Sequence, residues 1–413
     1  MFLARRTLLR LSNLKYSYYT VNQNLEKSQY DLAKSLYAKI KATGPITIAD
    51  YMKEVLINPL GGYYIHKDML GESGDFVTSP ELSQIFGEMI AIWFLNEWSK
   101  VGSPKPFQIV ELGPGKGSLC QDILRVFKHF QALKEASVCL VEISPFLSDI
   151  QARKLCAQTI LSKNEDDPVY RQGTSITHST PIKWYRDLKN VPNIFTLLIA
   201  HEFFDALPIH KFRKTDLGYR EVLIDIDKTK NMTFRYVMAN HETPALKLFL
   251  NKNETREEFE VSPQSLVLVK DIATRLEEDG GLALIGDYGH EGEGTDTFRA
   301  YKKHKQHDPL LEPGTADLTA DVDFSALKNA AIEEGKVLAF GPTSQRDFLL
   351  RMGIEHRVKN LGEAANEEQM KSIRFGFDMM TDPAKMGTRF KFLSLLPSVL
   401  KDILQKVPVV GFH

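Results

Sequence analysis

Phe107-Gln108-Ile109-Val110-Glu111-Leu112-Gly113-Pro114-Gly115-Lys116-Gly117-Ser118 carries the most information of any stretch in this chain. A run of strand length ends at Gly113, three glycines follow at alternate positions, and an amphipathic pattern over Ser118–Phe130 predicts a helix. Glycines let a strand-to-helix turn bend tightly and approach a ligand closely, and the helix N-terminus attracts an anionic or polar group. A phosphate-binding P-loop is excluded, because Lys116 is followed by Gly117 and Val110 stands where the first glycine is required. A dinucleotide fingerprint is weakened by Ser118, where it needs glycine. S-adenosyl-L-methionine (SAM) needs no pyrophosphate cradle and suits an acidic residue followed by G-x-G-x-G, with Glu111 as the acid. The next apolar run, Val138–Ile143, carries Glu142, a carboxylate able to accept both ribose hydroxyls of SAM or of NAD. On these residues alone, both cofactors stay open.

Outward from this unit the pattern repeats. A helix is expected over Pro145–Cys156, strands over Phe195–Ala200 and Gly281–Gly286, a helix near Phe324–Glu334 and a closing strand at Phe390–Leu395. Apolar strands alternating with helices predict an α/β, Rossmann-like, doubly wound and mostly parallel sheet. That domain is expected over 106–400, with an antiparallel β insertion at about 209–260. The insertion is read from the alternation in YREVLID (Tyr219–Asp225) and MTFRYVMA (Met232–Ala239). Residues 25–105 read as an N-terminal helical cap with helices at Tyr30–Ala42, Ile48–Leu56 and Leu82–Trp98, the last capped by Ser79 with Pro80 in its first turn. Residues 1–20, MFLARRTLLRLSNLKYSYYT, are arginine-rich and acid-free, which predicts a mitochondrial transit peptide and a matrix protein.

Composition narrows the function. The 413 residues carry 52 Lys and Arg against 53 Asp and Glu, a net charge of −1, so no global field favours nucleic acid. The longest apolar run, Met89–Leu95, spans seven residues, against roughly 20 for a bilayer span. Cys120, Cys139 and Cys156 form no CxxC pair, consistent with a reduced compartment.

The strand Phe195–Ala200 runs into His201-Glu202-Phe203-Phe204-Asp205. Ligands of doubly wound sheets bind beyond the strands' carboxyl ends, so Glu202 and Asp205 are the candidate catalytic pair. Zinc through H-E-x-x-H fails on Asp205, and no metal is expected. Two carboxylates flanking two aromatics suit a guanidinium, although Phe203 and Phe204 also read as core and Asp205 as the cap of a helix from Ala206. Asp287 and His290, after the strand Gly281–Gly286, and Thr78, Ser79 and Glu81, from the cap, are candidate covers of the cofactor or substrate. Lys302–His307 reads as a solvated helix face.

In order along the chain, GDFVTSPELSQIFGEMIAIW, VELGPGKGSLCQDILR, HEFFDALPIHKF, GDYGH, PGTADLTADVDFSAL and GPTSQRDFLLRMGI resemble the MidA family of mitochondrial protein arginine methyltransferases that assist complex I assembly. The resemblance runs from about Gly61 to Phe392. It implies a class I, SAM-dependent methyltransferase that symmetrically dimethylates an arginine of a complex I subunit, the iron–sulfur protein subunit two. By motif, Gly113, Gly115 and Gly117 would shape the SAM loop and Glu142 would hold the ribose. The chain lacks the paired-glutamate loop of better-known arginine methyltransferases, so Glu202 and Asp205 rest on their position alone. A non-catalytic SAM-binding assembly chaperone and an NAD-dependent oxidoreductase are the alternatives.

Overall fold

Phe107–Leu112 is buried at all six positions, as a strand covered on both faces must be. It sits at the middle of five parallel strands, in the order Gly281–His290, Phe195–His201, Phe107–Leu112, Ala136–Val141, Pro181–Tyr185. Antiparallel strands extend both edges: Phe390–Pro397 and Val337–Ser344 on one side, Val169–Ser175 and Cys156–Leu161 on the other. The short strand Val322–Asp323 adds to Gly281–His290. This computed structural model describes residues 31–66, 78–230, 232–363 and 365–413. The expected targeting segment, 1–20, lies outside them.

Helices cover both faces. Gln84–Lys100 and Ser118–His129 share one core with Trp184, Phe348 and Phe392. Pro263–Asp279 and Phe324–Ile332 close the opposite face. Register decides what emerges at the carboxyl edge. Leu112 lies opposite Val141 and Ala200, and His201 opposite Gly286. Gly113, Glu142 and Glu202 therefore leave the sheet side by side, next to Asp287, which is still paired with Lys391 in its strand.

The N-terminal segment divides differently from the sequence expectation. Gln84–Lys100 belongs to the sheet's core, with Phe86, Ile90, Trp93 and Phe94 all fully buried. It is also not continuous with Ser79: that residue opens a separate turn of helix, Ser79–Leu82. The extended Ser83 interrupts the two and caps the longer helix, its hydroxyl accepting from the Ile85 N–H at 3.3 Å.

Residues 31–66 pack instead on the insertion. Ile46–Thr47 pairs antiparallel with Gly218–Ile226, in one sheet with His210–Thr215, Phe234–Met238 and Glu258–Val261. Leu36, Ile48, Tyr51, Ile224, Phe234 and Leu318 form their common core, and the Tyr51 hydroxyl donates to the Pro309 carbonyl at 2.9 Å. The Lys302–His307 run is a β-hairpin, not a helix face. Arg299–Lys302 and Lys305–His307 pair antiparallel across Lys303 and His304, both at positive φ (52° and 59°), the turn geometry that matches hairpin twist. All three cysteines are free and buried. No helix among the described residues is long and apolar enough to cross a membrane.

Ile224→Ala is expected to cost about 2–5 kcal/mol. Hydrogen exchange should show protection lost together in residues 31–57 and 218–238, with the parallel strands unaffected.

Candidate functional site

A cavity of about 470 Å³ opens at the carboxyl edge of the parallel strands, within the range of small-molecule sites. The glycine loop forms one wall. Gly113, Gly115 and Gly117 all take positive φ (61°, 53° and 79°). A Cβ on Gly113 would stand 2.8 Å from the Phe203 ring, so this position combines a left-handed backbone with a close approach.

Gln151, on the helix Pro145–Leu155, ties this loop to the acid of the second strand. Its amide donates to the Gly115 carbonyl at 2.8 Å and to Glu142 Oε2 at 3.0 Å, while its Oε1 accepts from Trp184 Nε1 at 2.8 Å. Glu142 Oε1 also accepts from the Ser144 N–H at 2.7 Å. Burial pushes the Glu142 carboxyl up to about 7, against these hydrogen bonds. Burial pushes Glu111 further, to about 8, with the nearby Glu142 adding to it. Glu111 Oε2 is buried and has no hydrogen-bond partner among the described residues. A buried orphan acceptor, a glycine cradle and a carboxylate at the end of the second strand suit an adenosyl cofactor bearing a positive charge and hydroxyl donors. Ile143, Leu147, Leu188 and Leu268 line the same cavity beside Asp187 and offer apolar surface to a planar base.

The adjoining wall is the turn after Phe195–His201. Asp287, fully buried, accepts the backbone N–H groups of Phe203, Phe204 and Asp205 through Oδ2 at 3.1, 2.9 and 3.3 Å. This anchors a turn in which Glu202 stands at φ 51°. Glu202 Oε1 accepts from the Ser79 N–H at 3.2 Å. Asp205 Oδ2 accepts from the Thr319 hydroxyl at 2.7 Å, and the Asp205 carbonyl accepts from the Ala320 N–H at 3.0 Å. Asp317 lines the cavity beside them, with the Tyr64 hydroxyl donating to its Oδ1 at 2.7 Å. Burial raises Glu202 well above the usual carboxylate range, and the charges of Asp205 and Asp317 add to it. Asp205 is raised by burial too, opposed by Thr319 and by the Arg299 charge. His201, buried between Phe86 and Phe390, is held neutral by burial, its pKa lowered to about 3.

The cavity thus gathers Glu111, Gly113, Gly115, Glu142, Glu202 and Asp205, with Thr78 and Glu81 at its edge. Gly117 sits behind the loop as the left-handed N-cap of Ser118–His129. Ser79 reaches Glu202 through its backbone. Asp287 and His290 are not in the lining. Asp287 is an anchor beneath the turn, and His290 Nδ1 accepts from Gly292 and Gly294 of its own loop. Glu81 accepts from the Ser118 hydroxyl and lies 3.9 Å from Lys154. Asp205 caps no helix, because the chain passes from Ala206 to the strand His210–Thr215 without one. Phe204 is core, whereas Phe203 lines the cavity. Gln151, Asp187, Tyr64 and Asp317 are additions to the sequence reading; only Asp317 fell within a motif singled out there.

Gly113→Ala should weaken S-adenosylhomocysteine binding at least about tenfold by calorimetry. A second expectation concerns pH. Folding raises the Glu111 carboxyl from 4.5 to about 8, so the ligand-free protein should lose stability as pH rises through that window. Glu111→Gln should raise the melting temperature at pH 8.5 and leave it near wild type at pH 4.5.

Residues 89–343 match the family model of S-adenosyl-L-methionine-dependent methyltransferases. The chain is 50% identical over 392 residues to "Protein arginine methyltransferase NDUFAF7 homolog, mitochondrial" of Drosophila melanogaster, covering 94% of this chain and 90% of that one. It is 50% identical over 381 residues to "Protein arginine methyltransferase NDUFAF7, mitochondrial" of Homo sapiens, covering 91% and 86%. The fold matches that of a Burkholderia thailandensis protein crystallised with S-adenosyl-homocysteine, at a TM-score of 0.74, 23% identity, and 90% and 93% coverage. The family resolves the choice between SAM and NAD in favour of SAM, and the mitochondrial location expected from the sequence is the one these relatives carry in their names. The chain is a SAM-dependent methyltransferase and belongs to the family that contains the mitochondrial protein arginine methyltransferases.

Proposed function

We propose that the chain is a protein arginine N-methyltransferase of the mitochondrial matrix that symmetrically dimethylates an arginine of a complex I subunit, the iron–sulfur protein subunit two. The observation that carries this reading is the placement of Glu202 and Asp205 together on the cavity wall that adjoins the glycine loop. The client and the product follow from the sequence resemblance.

Bound SAM supplies an electrophilic methyl group on a sulfonium. Gly113, Gly115, Gln151 and Glu142 hold the adenosyl portion. Glu202 and Asp205 receive the guanidinium, whose planar fork pairs with carboxylates. Their raised pKa values come first from burial, and an entering guanidinium offsets that cost by favouring the charged form. A guanidinium nitrogen is a poor nucleophile because its lone pair is delocalised. Fixing it in line is therefore the main task, and positioning contributes roughly 7–11 kcal/mol in favourable systems. When the nitrogen is methylated the guanidinium loses one N–H proton, and a raised carboxylate beside it is a suitable acceptor.

Glu202→Gln and Asp205→Asn are each expected to slow methylation of recombinant iron–sulfur subunit at least about tenfold, or about 1.4 kcal/mol, with S-adenosylhomocysteine affinity kept within about threefold. Tandem mass spectrometry of the product should show symmetric dimethylarginine. Wild-type turnover in both variants would overturn the assignment. A folded wild-type chain that binds SAM and methylates nothing would favour the chaperone.

A further inference from the structure

The motif PGTADLTADVDFSAL has no role in the reaction described so far, yet it enters the cavity at Asp317. Within the strand Asp317–Thr319, alternate residues share a face. Thr319 spends its hydroxyl on Asp205 Oδ2 at 2.7 Å, and Ala320 bonds the Asp205 carbonyl. Those two contacts dock the strand on the catalytic turn and leave Asp317 in the lining with Glu202 and Asp205. Tyr64, from the N-terminal segment, fixes Asp317 through its hydroxyl at 2.7 Å.

A buried imidazole stands beside these carboxylates. His201 lines the same cavity, is 7% exposed, and its Nε2 has no hydrogen-bond partner among the described residues. Its Nδ1 stands 3.6 Å from Glu202 Oε1. This end of the cavity thus holds carboxylates from two elements and an unused imidazole nitrogen.

We propose that Asp317, positioned by Tyr64, is a third carboxylate contact to the substrate guanidinium and makes the site select arginine over lysine. The inference rests on the arginine reading above. A guanidinium presents five N–H donors in a flat fork with more than one edge to satisfy, whereas an ammonium is a compact charge. Glu202 and Asp205, on one turn, can serve one side of that fork. Asp317, carried on a separate strand, supplies another. Tyr64 acts only through Asp317 and is a positioning residue.

The test uses the full chain with recombinant iron–sulfur subunit as client, alongside calorimetry with S-adenosylhomocysteine. Asp317→Asn is expected to raise KM for the client at least about tenfold, to leave kcat within about threefold, and to leave S-adenosylhomocysteine affinity within about twofold. On a client with the target arginine replaced by lysine, the gap between wild type and variant should narrow. Tyr64→Phe should raise KM less, and the double variant should match Asp317→Asn alone. An unchanged KM in Asp317→Asn, with an active wild type, overturns this inference and leaves the arginine reading intact. Loss of S-adenosylhomocysteine binding together with activity also overturns it, since Asp317 would then be architectural. If Asp317→Asn does not fold, Tyr64→Phe decides: an unchanged KM overturns the proposal. A wild type inactive on the client overturns both readings.

Discussion

One buried carboxylate holds in place the turn that carries Glu202 and Asp205. Asp287 accepts three successive backbone N–H groups from the turn that follows the strand Phe195–His201, and its other oxygen takes the Tyr288 N–H. Without such an acceptor those amides would point into a dry interior, at a cost of about 1–3 kcal/mol each. With it, the turn can keep Glu202 in a left-handed conformation, which costs a residue with a side chain on the order of 1–3 kcal/mol. The strained backbone is thus offset one layer beneath the site, and the side chains of Glu202 and Asp205 stay available to a substrate. Asp287 is raised well above the usual carboxylate range by burial and then by the charges of Asp205 and Glu202. The anchor and the groups it positions therefore form one electrostatic unit.

The part of the cavity proposed to hold the cofactor lies close together along the chain. Strand, glycine turn and helix follow one another within Phe107–His129, and Glu142 comes at the end of the very next strand, so adjacency in sequence reproduces adjacency in space. Gln151 escaped notice because nothing marks a buried glutamine in a helix as the strut between Gly115 and Glu142. The half proposed for the substrate assembles from four distant stretches: Tyr64, the Glu202 turn, Asp287 and Asp317. Only register and packing bring these together. Asp287 illustrates the difference. The sequence places it just after a strand ending at Gly286, whereas the strand runs on to His290, and its direction, down onto the neighbouring turn instead of out into the cavity, depends on backbone donors that no sequence pattern displays. Lys302–His307 was misread for a related reason. Positive charges in a row resemble a solvated helix face, and the hairpin depends on two non-glycine residues accepting positive φ.

The two structural cores also differ in how they meet the cavity. The sheet supplies a rigid floor, with Phe107–Leu112 buried on both faces. The second core, formed by residues 31–66 with the inserted strands, supplies Tyr64 and the strand bearing Asp317. A site split this way can retain cofactor geometry while the substrate wall is altered by changes in the second core alone.

The join between the cap and the insertion also bears on how the protein is made. Ile46–Thr47 finds its strand partner only in Gly218–Ile226, and the Tyr51 hydroxyl bonds a carbonyl 258 residues further along. An early segment with such late partners cannot complete the core around Leu36, Ile48 and Tyr51 until residues as late as Leu318 have been made, so these apolar residues stay uncovered through much of translation. Non-local pairing of this kind slows folding and prolongs exposure to aggregation. The nascent segment 31–66 is accordingly one that gains from chaperone cover until the insertion has been made.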